Sequence, residues 1–228
     1  MLESLKQRVY QANMDLVKHG LVIHTWGNAS GRDFESGLIA IKPSGVSYEK
    51  MKPEDMVIVD PDGKVVDGKK KPSTDTPTHL VLYRAFGSIG GVVHTHSTYA
   101  TSWAQAGRNI PPFGTTHADH FYGDVPCTRK MTPREIKSDY ETNTGNVIIE
   151  TVGKEDPRIL NSILVCSHGP FSWGKDAETA VYNAVALEEI ARMAFYTVLL
   201  GKTEPVDKEL LEKHFLRKHG KDAYYGQK

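Results

Sequence analysis

The stretch GGVVHTHSTYA, residues 90–100, sets two histidines one residue apart at the end of an apolar run. In a strand, side chains at i and i+2 share a face, so His94 and His96 present two imidazoles side by side while Thr95 turns away. TYATSWAQAG, residues 98–107, follows with a helical pattern and a glycine where a helix would end. A strand that hands directly to a helix points to an α/β fold.

The pattern extends in both directions. Leu2, Leu5, Val9, Leu16 and Val17 recur at helical spacing and stop at His19-Gly20, which predicts a first helix. GLIAIKPSG (37–45), DMVIVDPDG (55–63) and KVVDG (64–68) read as short strands, with Asp60-Pro61-Asp62-Gly63 as a hairpin turn that begins an antiparallel sheet. DTPTHLVLYRAFG (75–87) reads as a helix opened by Asp75 and Thr76, and SILVCSHGPFSWG (162–174) as another strand. Asp176 is placed to cap the long helix that contains AVYNAVALEEIARMAFYTVLLG, residues 180–201. DKELLEKHFLRKHGKDAYYGQK (207–228) reads as an amphipathic helix with an aromatic tail. With no linker, repeat or low-complexity segment, residues 1–228 are expected to form one α/β domain around a mainly antiparallel sheet flanked by helices.

Composition excludes several classes of function. The 28 basic and 28 acidic side chains cancel, and no block of like charge marks a nucleic-acid or membrane surface. Charges interrupt both the opening segment and the long helix, so neither a secretory signal nor a membrane span is expected. Cys127 and Cys166 are far apart in sequence and form no C-x-x-C pair, which argues against a disulfide framework and fits a cytoplasmic protein.

Two constellations carry chemistry. His94 and His96, together with His168 in CSHGPF and Asp75 at a helix start, form a zinc-type donor set, with Mn²⁺, Co²⁺ or Fe²⁺ in competition. A lone histidine is more often a satisfied core residue, but four candidates at element ends favour the metal. Among His19, His24, His79, His117 and His120, His79 is the strongest competitor because it lies one helical turn from Asp75. The second constellation is three turns of small polar residues: TWGNASGRD (25–33), IKPSGVS (41–47) and KPSTDTP (71–77). Their backbone N–H groups, a helix N-terminus after Ser73-Thr74 and the charge of Lys42 suit a phosphate.

The set WGNAS, KPSG, PSTDTPTHL, VVHTHSTYAT, THADHFYGDVPCT and HGPFSWG resembles the class II sugar-phosphate aldolase and epimerase family from about residue 8 to the end. THADHFYGD and the tail HFLRKHGKDAYYGQ are similar to its epimerase branch. The resemblance implies the three-layer α/β/α fold of that family and one Zn²⁺ per subunit held by His94, His96 and His168, with Asp75 completing the shell. A glutamate at that place would mark the aldolase branch. It implies that Gly27, Asn28, Lys42, Ser44, Gly45, Ser73 and Thr74 bind the sugar phosphate, and that Asp119 and Tyr225 are acid/base residues with His214 nearby. Asp119 and Tyr225 would reach the site from the neighbouring subunit of a homotetramer, with the segment of about residues 207–228 completing it.

The activity so implied is isomerisation: inversion of carbon 4 of a ketopentose 5-phosphate, between L-ribulose 5-phosphate and D-xylulose 5-phosphate. Simple deprotonation at carbon 4 is not accessible, because the acidic position is carbon 3, beside the carbonyl. Retro-aldol cleavage of C3–C4, rotation of the aldehyde and re-addition form the open route, with a Lewis acid stabilising the enediolate. The alternatives are a fuculose-phosphate type aldolase and a non-catalytic metal- or sugar-phosphate-binding module. Whether arabinose or ascorbate breakdown supplies the substrate stays open.

Overall fold

The computed structural model describes residues 2–201 and 203–226; Gln227, the last residue of the tail motif, lies outside them. Among the described residues, seven strands form the sheet: β1 (Asn28–Arg32), β2 (Ile39–Ile41), β3 (Val57–Val59), β4 (Val65–Asp67), β5 (Gly91–His94), β6 (Ser162–Val165) and β7 (Gly169–Gly174). Their order is β4-β3-β2-β1-β5-β7-β6, and every neighbouring pair is antiparallel. The helices are α1 (Leu2–Lys18), α2 (Thr76–Ala85), α3 (Thr98–Ala106), α4 (Thr115–Ala118), α5 (Pro133–Lys137), α6 (Tyr140–Val152), α7 (Ala177–Leu199) and α8 (Lys208–His219). Among the described residues, no helix is long and apolar enough to cross a membrane.

Strand periodicity divides the core between the two faces of the sheet. Ala40, Ile58 and Val93 pack with Leu5, Val9 and Leu16 of α1 and with Ala180, Val181 and Ala184 of α7. Ile39, Val57, Val59 and Val92 face the other way, onto Leu80 and Tyr83 of α2 and Ile148 and Val152 of α6. A third cluster joins Trp103 and Ala104 of α3 to Leu187, Ile190 and Ala191 of α7. The expected three layers, helices on both faces of an antiparallel sheet, are therefore present. Val17, read as part of the apolar face of α1, is instead exposed, because Leu16 takes the buried position at the end of that face and Val17 points beside it.

Three expectations need correction. TWGNASGRD is not one turn: residues 28–32 are β1, buried between β2 and β5. The segment lacks the apolar alternation of a strand because its neighbours satisfy it with hydrogen bonds. Asn13 of α1, itself buried, accepts from the Ala29 N–H at 2.9 Å and donates to the Ala29 carbonyl at 3.0 Å, taking the place of a strand partner where β2 has ended. Secondly, SILVCSHGPFSWG is a hairpin, β6 and β7, and His168 sits in the turn between them next to Ser167 at φ +62°. Thirdly, residues 108–161, given no elements from the sequence, contain α4, α5 and α6.

Candidate metal centre

β1 and α2 meet in a ladder that sets up the site. Residues two apart in a strand advance roughly 6.6–6.8 Å and residues four apart in a helix roughly 6 Å, so the two repeats run nearly in step. Asn28, Ser30 and Arg32 occupy one face of β1, and Asp75, His79 and Tyr83 recur every fourth residue along α2. Asn28 Nδ2 donates to Asp75 Oδ2 at 2.6 Å. Ser30 Oγ lies 2.7 Å from His79 Nδ1 and 2.8 Å from the Tyr83 hydroxyl. Arg32 donates to the Tyr83 carbonyl at 3.1 Å. His79, the competing metal candidate, is thus spent inside the protein, and burial pushes its imidazole down to about 3. Asp75 occupies the N-cap position of α2 but makes no side-chain cap bond there, which leaves its carboxylate to Asn28 and the cavity.

His94 ends β5, while His96 lies two residues beyond it and His168 in the β6–β7 turn. Their donor nitrogens all lie within 4.8 Å of one another, and among the described residues this is the cluster fitted to a metal ion. His94 Nδ1–H donates to the Pro170 carbonyl at 3.0 Å, which fixes the tautomer and turns Nε2 inward. His94 Nε2 and His96 Nε2 are 3.1 Å apart. Tetrahedral zinc with bonds of roughly 2.0–2.1 Å has ligand–ligand edges of about 3.4 Å, so the pair fits two such positions. Phe171 stacks on His94 at 4.2 Å between ring centroids, and the Tyr140 hydroxyl lies 3.4 Å from His168 Nδ1. Burial, then the neighbouring His94 and His96, push His168 down to about 3, and burial lowers His96 as well. Neutral imidazoles are the form a metal requires.

Asp75 lines the same cavity, but its carboxylate is not in the close histidine cluster. Burial alone pushes its carboxyl up; His94, His79 and the Asn28 hydrogen bond outweigh that and hold it below the usual carboxylate range.

The cavity has a volume of about 490 Å³ and joins the histidines to the expected phosphate turns: Gly27, Asn28, Lys42, Ser44, Gly45, Ser73, Thr74 and Asp75 all line it. Gly27 admits no side chain, because its φ is +72° and a Cβ would come within 2.8 Å of the His94 carbonyl. The two Ser-bearing turns are tied together, Ser44 N–H to the Lys71 carbonyl and Ser73 N–H to the Lys42 carbonyl, each at 2.9 Å. Those two N–H groups are therefore used within the protein, contrary to the expectation of open backbone donors. Lys42 is buried with its ammonium 3.5 Å from the Thr25 and Pro43 carbonyls and 4.8 Å from the Tyr48 ring centroid. Burial lowers its pKa from 10.5 to about 8, with Asp75 opposing the shift. Among the described residues, Asn28 Oδ1 is buried without a hydrogen-bond partner, an acceptor left for a ligand.

Asp119, His214 and Tyr225 do not line this cavity. They form a second cluster where α8 packs on α4. Arg217 grips the Asp119 carboxylate with both Nε, at 3.0 Å, and an Nη nitrogen, at 2.7 Å, while His214 Nδ1 lies 3.1 Å from it. Burial would raise the Asp119 carboxyl, but the Arg217 and His214 hydrogen bonds outweigh it and lower it. Tyr225, 60% exposed, stacks by its ring against the Arg217 and Lys218 cations at 5.2 and 4.5 Å.

Two features of the site carry no motif and were missed in the sequence. Glu188 of α7 accepts two of the free N–H groups in the first turn of α3, from Tyr99 at 2.8 Å and Ala100 at 2.9 Å, and so anchors the chain where it leaves His96. Tyr48 holds the His24–Gly27 loop, donating to the Trp26 carbonyl at 3.1 Å and the Gly27 carbonyl at 2.9 Å. Both cysteines are free thiols; burial, then its neighbour Cys166, push Cys127 up to about 12.

Comparison with known proteins agrees with this architecture. The chain is 59% identical over its whole length, and over the whole length of its relative, to a Salmonella paratyphi B protein named L-ribulose-5-phosphate 4-epimerase UlaF. The Salmonella paratyphi C protein of the same name is 58% identical with the same coverage. Among solved structures, an L-fuculose 1-phosphate aldolase superposes with a TM-score of 0.79 at 26% identity, over 92% of this chain and 94% of that one. The sequence profile described as Class II Aldolase and Adducin N-terminal domain matches residues 7–195. A profile that spans most of the chain, with full-length relatives at this level of identity, shows that the chain belongs to the class II aldolase and adducin N-terminal domain family.

Proposed function

We propose that the protein is an L-ribulose-5-phosphate 4-epimerase that inverts carbon 4 by cleaving and remaking the C3–C4 bond. The observation that carries this reading is one cavity lined both by a three-histidine donor cluster and by a buried lysine, with small polar residues between them in the lining. The full-length relatives of that name support the choice of substrate.

His94, His96 and His168 would hold one divalent ion of the zinc type, for which their spacing and neutral imidazoles fit, with Asp75 as a fourth candidate ligand. Such an ion supplies Lewis acidity toward the carbonyl and adjacent hydroxyl oxygens of a sugar. Lys42, with the Ser44, Gly45 and Thr74 turns, seats the phosphate, leaving that end of the substrate fixed while the other end reacts. Asn28 Oδ1 accepts a substrate hydroxyl, and its Nδ2 keeps Asp75 in place. Two proton movements remain: the carbon 4 hydroxyl gives up a proton on cleavage, and the new alkoxide on the opposite face regains one. Asp119 and Tyr225 are assigned these roles, each brought to a neighbour's cavity in a homotetrameric ring.

Incubation with L-ribulose 5-phosphate and a coupled assay for D-xylulose 5-phosphate tests the reading, and stoichiometric release of free aldehyde instead would move the chain to the aldolase branch. Metal analysis is expected to find about one divalent ion per chain. His168→Ala should lose that ion together with the activity; full activity in a metal-free preparation would remove the metal from the mechanism.

A further inference from the structure

Most of the cavity lining is small, polar or ionisable, and Trp26 is its one bulky apolar side chain among the described residues. Single exposed aromatics are ordinary on protein surfaces. What separates Trp26 is where it stands and how firmly it is held. It is 51% exposed, yet its backbone is fixed on both sides: its N–H donates to the Ile23 carbonyl at 3.0 Å, and Tyr48 grips its carbonyl and that of Gly27. The flanking φ angles of His24, +56°, and Gly27, +72°, lock the loop into a conformation that extended chain would not adopt. The residue before it, Thr25, offers its carbonyl to Lys42 on the phosphate side. The indole itself lies 6.4 Å from the His96 ring on the metal side. Trp26 therefore lines the cavity between Lys42, reached through the neighbouring Thr25 carbonyl, and the His96 ring.

We infer that Trp26 is the wall that retains the cleaved aldehyde, so that it sets the ratio of inversion to release. The inference rests on the epimerase reading above. On cleavage the carbon 4 hydroxyl loses its proton, the C3–C4 bonding pair stays with the three-carbon fragment, and carbon 4 becomes the aldehyde of glycolaldehyde phosphate. Inversion needs that aldehyde to rotate and take the pair back on its other face. Release instead gives free glycolaldehyde phosphate, and the three-carbon fragment gains a proton at carbon 3 and leaves as dihydroxyacetone. A polar wall would hydrogen-bond the aldehyde in one orientation and favour one face. The flat face of an indole excludes water and offers the aldehyde no hydrogen bond that would fix either orientation, which is what a fragment that must turn in place requires.

The test measures both fates in the same reaction, with L-ribulose 5-phosphate and metal-loaded enzyme: D-xylulose 5-phosphate by a coupled assay and free dihydroxyacetone by enzymatic reduction. Trp26→Ala should raise the fraction of turnovers ending in dihydroxyacetone by roughly tenfold over wild type, equivalent to about 1.4 kcal/mol of lost retention, with metal content unchanged. Trp26→Phe, which keeps a smaller flat wall, should fall between the two, and it carries the test alone if the alanine variant does not fold. A release fraction equal to wild type in both variants overturns the inference, as does loss of metal in step with activity, because Trp26 would then act through His96. Wild-type protein that makes no D-xylulose 5-phosphate overturns the epimerase reading itself.

Discussion

At the scale of single residues, Lys42 joins burial to a pH response. Its ammonium is taken out of water with two long carbonyl contacts, a tyrosine face and Asp75 for company, and its pKa falls from 10.5 to about 8. Because the folded value is the lower one, the lysine is charged below about pH 8 and loses its proton as pH rises through that value. Phosphate affinity should therefore be full below pH 8 and decline above it, while the fold gains stability between pH 8 and 10.5, where the unfolded chain binds the extra proton. The expected result is an alkaline limb in kcat/KM near pH 8 that vanishes in Lys42→Met, together with a KM raised roughly ten- to hundredfold at pH 7. An unchanged alkaline limb in that variant would assign it to another group. The histidine pair was legible as a pair, but not for the reason the strand pattern gave: β5 ends at His94, and His96 reaches the cluster from the segment beyond it rather than by the strand's period of two. Asn28 was legible only as a member of a polar turn; its bond to Asp75 depends on a helix 47 positions further along the chain.

At the scale of elements, legibility followed the apolar pattern. α1, α2, α7, α8 and the β3–β4 hairpin announce themselves by periodicity or turn chemistry. β1 does not, since NASGR shows no apolar alternation and is held by Asn13, His79 and Tyr83 from two helices. The β6–β7 hairpin was hidden for a related reason: both strands are buried, so they read as one run. Glu188 is a further contact between elements that local sequence cannot show. Its two carboxylate oxygens take two N–H groups at the start of α3, where Ser97 provides no side-chain cap. Glu188→Ala should cost about 2 kcal/mol of stability, since charge-assisted hydrogen bonds to otherwise unpaired helix N–H groups are lost. It should also weaken metal binding, because the chain between His96 and α3 loses its anchor. Urea denaturation of the metal-free protein and a metal-competition titration read these two effects separately; stability and metal affinity both at wild-type level would deny Glu188 the anchoring role.

At the scale of the whole molecule, the two clusters of functional candidates lie apart within one chain, and that separation makes the assembly testable. The histidine cavity opens beside β1 and β5, whereas Asp119 is clamped by Arg217 and His214 between α4 and α8. If Asp119 served its own chain's cavity, an inactive Asp119→Asn protein mixed with an inactive His94→Asn protein would stay inactive in every combination. In a ring where each site takes its metal ligands from one subunit and its acid/base residues from the next, mixing restores intact sites. For random equal mixing, half of the cavities hold the metal and half of their neighbours carry Asp119, so about one quarter of the sites should recover. Co-refolding or co-expression of the two variants, followed by the epimerase assay, distinguishes the arrangements. Recovery near that fraction supports shared sites, and none in mixed assemblies of confirmed composition assigns Asp119 to a task within its own chain. A purely structural Asp119, fastening α8 to α4 through Arg217, has a different signature that shows before any mixing: Asp119→Asn alone would lose stability and keep its turnover per folded chain.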